Sequence, residues 1–134
     1  MAGKNTDAHW SPDGRSIAYA DLSSVFVSDK DGANLKKIWD APRSVDGPYF
    51  SPDSRPIRVT VSQGDAAPAS QIWELNADGT HPHRLALDWP DDARARQWTP
   101  DGEHFVFMSR REGLNNLYET VRPPWLKWKS SKAC

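Results

Sequence analysis

With 134 residues the chain suits one domain with a modest core and is too short for two comfortable ones. Its formal charge of -1 excludes a global electrostatic drive toward nucleic acid or anionic membrane, and no apolar run approaches the roughly 20 residues that span a bilayer. Eleven Pro and eight Gly point to many turns rather than long helices, and seven Trp are an unusual aromatic load.

The stretch from Met1 to Asp7 has no apolar core of the kind a secretory signal needs. At Trp10 a pattern begins that returns twice. Trp10-Ser-Pro12-Asp13-Gly14-Arg-Ser-Ile17-Ala-Tyr19, Phe50-Ser-Pro52-Asp53-Ser-Arg-Pro-Ile57-Arg-Val59 and Trp98-Thr-Pro100-Asp101-Gly102-Glu-His-Phe105-Val-Phe107 align without gaps. Proline presets φ at the second position of a turn, the Asp carboxylate can bond neighbouring amides, and Gly accepts positive φ. The alternation that follows has period 2, which describes a half-buried strand. A second unit sits inside each repeat. Val25-Phe26-Val27-Ser-Asp29-Lys-Asp31-Gly32 and Ile72-Trp73-Glu-Leu75-Asn-Ala-Asp78-Gly79 place an apolar strand before an Asp-Gly turn, and Leu117-Tyr118 matches the start of that strand in the third copy.

Each repeat therefore holds four short strands: one ending at the aromatic, one after Ser/Thr-Pro-Asp, one before Asp-Gly and one after it. Four-stranded units spaced by about 40–45 residues predict propeller blades. Pro12 to Pro52 is 40 residues and Pro52 to Pro100 is 48. The extra length falls at 63–70, a loop by composition between the second and third strands of the second blade. The expected fold is all-β, a partial propeller of three four-stranded antiparallel blades. Their expected extents are 8–40, 47–87 and 96–121, the last incomplete. Residues 122–134 form an irregular tail in which Arg122, Trp125, Lys127, Trp128, Lys129 and Lys132 mix aromatics with cations. Strands are expected over Ile17–Ala20, Val25–Ser28, Ile57–Ser62, Ile72–Leu75 and Phe105–Ser109. Pro56 suggests that its strand is short or exposed.

These residues resemble the WD40-like Pro-Asp repeats of the TolB-like propellers, whose blades carry W-S-P-D-G before a strand and a later D-G turn. The resemblance extends from about residue 8 to 120. It implies a non-enzymatic scaffold for protein–protein contact in the bacterial envelope, hence a periplasmic location, or the sensor half of a larger regulator. Ser54 replaces the repeat's Gly in the second blade. Propellers of this family usually have six or more blades, so three motifs imply part of a propeller within a longer polypeptide. A second reading is the propeller of a prolyl-oligopeptidase-like serine peptidase, which gates access to a separate hydrolase domain. A carbohydrate- or metal-binding propeller is a third.

No catalytic or metal constellation competes with these readings. Trp10, Phe50 and Trp98 occupy one repeat position, which predicts packing between blades rather than a ligand platform, and Trp39, Trp73 and Trp89 are read in the same way. Asp13, Asp53 and Asp101 lie a blade apart and stabilise turns instead of converging. The run from Asp29 to Asp40 puts Ala33 and Asn34 where a calcium loop needs an oxygen ligand and a Gly, so it is read as a β-turn. His81 and His83 lack a third ligand and are read as an exposed pair. There is no G-x-S-x-G elbow, no phosphate-cradling G-x-x-x-x-G-K and no C-x-x-C. The single cysteine, Cys134, excludes an intrachain disulfide and leaves the redox compartment open. No cofactor is expected.

In an antiparallel meander successive turns alternate between the two ends of the sheet. The Pro12-Asp13-Gly14, Pro52-Asp53 and Pro100-Asp101-Gly102 turns thus share one end with Asp31-Gly32 and Asp78-Gly79, as structural elements. The loops between second and third strands and the linkers between blades share the other. That end varies in length and charge, which is where a rigid scaffold carries recognition. Its candidate binding residues are Arg43, Asp46, Gln63, Asp65, Asp91, Asp92, Arg94 and Arg96. Their mixed charge suits a protein or peptide partner and not a nucleic acid. The outer faces of the first and third blades lack a neighbour, so the chain is expected either to self-associate, as in a two-fold assembly completing six blades, or to be marginally stable.

Overall fold

The computed structural model describes residues 8–65, 69–85, 92–111, 114–121 and 131–132. Their chain order is β1 (Ala8–Trp10), β2 (Ser16–Asp21), β3 (Ser24–Asp29), β4 (Lys36–Asp40), β5 (Val45–Phe50), β6 (Pro56–Ser62), β7 (Ser70–Asn76), β8 (His83–Arg84), β9 (Asp92–Trp98), β10 (His104–Arg111), β11 (Leu114–Val121) and β12 (Ser131–Lys132). They form three four-stranded sheets, each a simple antiparallel meander: β1-β2-β3-β4, β5-β6-β7-β8 and β9-β10-β11-β12. The molecule is all-β among the described residues, and the five expected strands all lie within observed ones.

Side-chain alternation explains how the sheets stack. The register pairs Ala18 with Val27 and Ala20 with Val25 in the first sheet, and Ile57 with Leu75 and Val59 with Trp73 in the second. Cross-strand partners share a sheet face. Ala18, Ala20, Val25, Val45, Phe50, Ile57, Val59, Val61 and Leu75 accordingly meet in one core between the first two sheets. The opposite face of the second sheet supplies Ile72 to another core with Ala93, Trp98, Phe105, Phe107 and Tyr118 of the third. Each full burial of a Val, Leu, Ile or Phe side chain is worth about 1.5–3 kcal/mol. No single sheet could bury both of its apolar faces alone, so the stack is the stable unit.

Three expectations need correction. β6 is neither short nor exposed: it runs seven residues with five consecutive buried positions, because Pro56 stands first in the strand, where its missing N–H breaks no interior ladder bond. Trp10 does not share the burial of Phe50 and Trp98. It is 58% exposed against 7% and 6%, since it stands on the side of the first sheet that faces away from the second. The last sheet, read as stopping near residue 121, has a short fourth strand: Ser131 and Lys132 pair with Glu119 and Tyr118. Trp89 and residues 122–130 lie outside the described residues.

Candidate functional site

The three Pro-Asp turns are built alike. In the first, the Ser11 hydroxyl donates to Asp13 Oδ1 at 2.6 Å, and the Arg15 amide donates to the same oxygen at 3.0 Å. The Thr99 hydroxyl and the Glu103 amide repeat this on Asp101 at 2.5 and 2.9 Å, and the Ser51 hydroxyl and the Arg55 amide do so on Asp53 at 2.5 and 3.2 Å. Hydrogen bonds, from the hydroxyl above all, hold the Asp13 and Asp101 carboxyls below the usual carboxylate range. Gly14 and Gly102 take positive φ after the Asp, as does Ser54 at 59°, a strained choice for a residue with a Cβ. These carboxylates are engaged in turns, one per blade, and do not converge.

The Asp-Gly turns close with Gly32 N–H on Asp29 O and Gly79 N–H on Asn76 O. Thr80 donates its hydroxyl and amide to Asp78, which lowers the Asp78 pKa. The Ala77 amide donates to Arg55 O at 2.8 Å, joining the two turn types of the second blade at one end of the sheet. Gly79 seats against the Ile38 carbonyl of the first blade, and Gly102 against the Pro52 ring of the second. This end of the stack is a set of interlocked turns.

The opposite end gathers the variable segments. The linker between the first two blades is bonded to both. Ala41 N–H donates to Ser23 O at 2.7 Å and Val45 N–H to Leu22 O at 2.8 Å, while Ser62 N–H donates to Ser44 O at 2.8 Å. Gly64 lies beside the Arg43 guanidinium. Across the next junction the Ala69 amide donates to the Asp92 carboxylate. Arg43, Gln63, Asp65 and Asp92 are thereby brought onto one continuous ridge, with Asp46 exposed next to it at the start of β5. Arg94 is exposed on β9, and Asp92 and Arg94, read as linker, belong to that strand. Asp91 lies outside the described residues, and the Arg96 side chain is likewise not described. Asp40 closes the ridge at the first blade: it accepts from the Ser24 hydroxyl at 2.6 Å and pairs with Lys37 at 3.0 Å, contacts that depress its pKa.

Two hollows of about 270 Å³ indent the described surface. Asp92, Arg94, Met108, Arg110 and Asn115 line one, on the outer side of the third sheet. The other lies at the turn end, among Pro12, Tyr49, Phe50, Pro52, Gln97, Trp98, Thr99 and Pro100. Both fall below the roughly 300 Å³ at which small-molecule pockets begin. Met108, Arg110 and Asn115 were not among the candidates read from sequence. The alternation running on from Phe105 to Arg110 was the available signal.

Sequence reading also missed Arg58. It was the polar position between Ile57 and Val59, yet it is 2% exposed. Its Nε donates to Glu74 Oε2 at 2.9 Å, and its guanidinium lies 4.2 Å from the Trp98 ring centre and 4.5 Å from that of Phe105. The charge is thus paired and covered by two aromatic faces at the junction of the second and third blades.

The imidazoles do not converge on a common point. His83 Nδ1 is 2.7 Å from His81 O and its Nε2 is 3.8 Å from Glu74, while His81 Nδ1 is 3.3 Å from Asn76 Nδ2. Among the described residues no three His, Cys, Asp or Glu side chains are grouped to hold a metal ion.

Stacked four-stranded meanders with a fixed turn end and a variable loop end define the class: this is a β-propeller domain. The chain matches the TolB beta propeller domain family over residues 4–122 and belongs to it. Its fold superposes on the crystal structure of TolB from Acinetobacter baumannii with a TM-score of 0.73 and 22% identity, over 94% of this chain and 31% of that one. A crystal structure of puromycin hydrolase gives a TM-score of 0.70 and 17% identity, over 96% of this chain and 22% of the other. In sequence, 84 residues are 32% identical to the "Uncharacterized peptidase YuxL" of Bacillus subtilis (strain 168), covering 59% of this chain and 13% of that protein. The chain thus spans less than a third of each of these three relatives. No helix among the described residues is long and apolar enough to cross a membrane.

Proposed function

We propose that this TolB-like propeller is a non-enzymatic scaffold that docks a protein or peptide on its variable-loop end, in the bacterial envelope, with the periplasm as its compartment. One observation carries the reading. Loops from adjacent blades are bonded edge to edge into a ridge on which exposed Arg43, Asp46 and Asp65 mix the two signs of charge. Mixed charge on a rigid base suits a polar partner surface, giving register and specificity rather than deep burial. Membership of the TolB beta propeller family supports the reading.

A peptide-display library selected on the purified chain tests it. Enriched peptides should lose binding to Arg43→Glu and Asp65→Lys variants and keep it for Asp31→Lys, which alters the turn end. Absence of enrichment, or equal loss in all three variants, sinks the proposal. The relationship to YuxL favours a second reading, in which the domain gates a peptidase whose catalytic part lies outside these residues. A hydrolase domain in the same reading frame would decide for it.

A further inference from the structure

At the loop end of the first blade a leucine holds a backbone conformation suited to glycine. β2 ends at Asp21 and β3 begins at Ser24, and these two residues pair, so Leu22 and Ser23 form a two-residue hairpin turn. Leu22 takes a φ of 54° at the first turn position, where glycine normally supplies the positive angle. Asn34, Ser54 and His81 are the other non-glycine residues in that region among those described, and all three are polar. Asn34 uses its side chain locally, donating to Asp29 at 2.7 Å, and His81 lies 3.3 Å from the Asn76 amide. A leucyl group can make no such bond to offset the crowding of its Cβ. Burial does not offset it either. Leu22 is 68% exposed, more than Trp10, Leu35 or Leu117, the other large apolar side chains open to solvent among the described residues.

The main chain beneath this side chain is held on both sides. Leu22 O accepts the Val45 amide at 2.8 Å, and Ser23 O accepts the Ala41 amide at 2.7 Å. The linker between those two amides carries exposed Arg43 at its middle, and exposed Asp46 follows Val45 directly. The tip is thus an apolar knob on a fixed base, with a cation and an anion beside it. Each loop between second and third strands that is described reaches forward to the following blade: Leu22 to Val45, and Ala69 to Asp92. The loop of the second blade therefore points away from Leu22. By the same rule a blade ahead of the first would set its own loop on the entry to β1 and leave this tip open. A lone exposed leucine calls for no explanation, but one kept in a strained turn does.

We infer that Leu22 is the apolar anchor of the loop-end interface, a knob that enters an apolar pocket on the docked protein or peptide. This role rests on the docking proposed above and sharpens it. Leu22 supplies the desolvated centre of the contact, while Arg43 and Asp46 supply a charged rim that sets its register. The partner surface that fits is an apolar pocket flanked by groups of both charges. Because the turn is already ordered, the knob loses little conformational freedom on docking.

Leu22→Asn isolates the anchor, since Asn has nearly the same size, tolerates positive φ and removes only the apolar surface. The probes are the peptides enriched by display on the wild-type chain, with their dissociation constants read by titration calorimetry. Leu22→Asn should weaken them about tenfold or more, with a melting temperature at or above that of the wild type. Leu22→Met keeps the apolar reach and should bind within about threefold of the wild type. Leu22→Gly, the residue the backbone angle favours, should repeat the loss seen with Leu22→Asn. Wild-type affinity in Leu22→Asn, beside lost affinity in Arg43→Glu, would overturn the anchor and leave the ridge as a charged interface. A melting temperature lowered in both Leu22→Asn and Leu22→Gly would also overturn it, by assigning the leucine to the fold. Peptides indifferent to Arg43→Glu and Asp65→Lys, or no enriched peptides, would remove the docking itself and the anchor with it.

Discussion

The two internal blade junctions use one repeat geometry and differ in how they treat charge. Between the first and second blades, Ala18, Ala20 and Val25 meet Phe50, Ile57, Val59, Val61 and Leu75, and the Trp39 and Trp73 rings lie 5.3 Å apart by their centres, an apolar contact in which small side chains on one sheet receive larger ones on the other. Between the second and third, aromatic rings dominate and the buried Arg58 lies against them, tied to Glu74. The first junction depends on apolar fit. The second depends on a charge that is tolerable only while its carboxylate and both rings stay in place. Identical turns can therefore join blades whose affinities fail under different perturbations.

The largest contrast is expected at the ion pair. Glu74→Ala should destabilise the chain by about 3 kcal/mol, because it removes the carboxylate paired with a guanidinium that is nearly fully buried. Arg58→Met, which replaces the charge with an apolar chain of similar length, should be near neutral or stabilising. Urea unfolding of the two variants checks the pair, and equal losses would show that the contact acts by packing alone. No such asymmetry is expected in the core of the first junction.

A smaller contrast probes the first junction. Gly32 and Gly79 occupy the same turn position with φ of 82° and 88°. A Cβ on Gly32 meets nothing within 4 Å, whereas one on Gly79 would collide with the Ile38 carbonyl of the neighbouring blade. Gly32→Ala should cost about 1–2 kcal/mol from backbone strain alone. Gly79→Ala should cost about 1–3 kcal/mol more as the junction is pushed open. Thermal melts of the two variants compare them, and similar shifts would mean that the turn does not brace the junction.

Acid gives the smallest effect. Asp13, Asp78 and Asp101 at the turn end, and Asp40 at the loop end, have pKa values lowered from 3.8 by hydrogen bonds. A depressed folded-state pKa adds stability that is fully present above the unfolded value and is lost as pH falls through the folded one. Stability should therefore hold down to about pH 5 and decline below it. Carboxyl titration followed by NMR should show the Asp13, Asp78 and Asp101 midpoints below 3.8 in the folded chain. Midpoints at or above that value would remove the turn bonds as a source of acid sensitivity.

The repeat made most of the fold legible. Three gapless copies with a fixed turn chemistry defined the strands, their antiparallel order and the end of the sheet to which each loop belongs. Legibility failed where the reason for burial lay in another blade. Arg58 and Thr60 stand at alternating positions that a half-exposed strand would give to solvent, and both are buried because the third sheet covers them. Trp10 failed in the opposite sense: its repeat position promised a core, but among the described residues no blade packs on its side of the first sheet. Of the candidate ridge, topology placed Arg43, Gln63, Asp65 and Asp92 at one end. Their contact across blades depended on the 63–70 loop reaching Asp92, which spacing does not encode.

By itself the sequence determined local structure, because Pro-Asp-Gly turns and period-2 alternation act within a few residues and need no partner to be recognised. It determined the blade as a unit and the number of blades present. Only the tertiary structure decided which face of each sheet meets which neighbour and that an arginine could be held between Trp98 and Phe105. Those outcomes rest on desolvation and side-chain fit between segments of different blades, where the identity of the facing surface, and not the residue's own polarity, sets the energy.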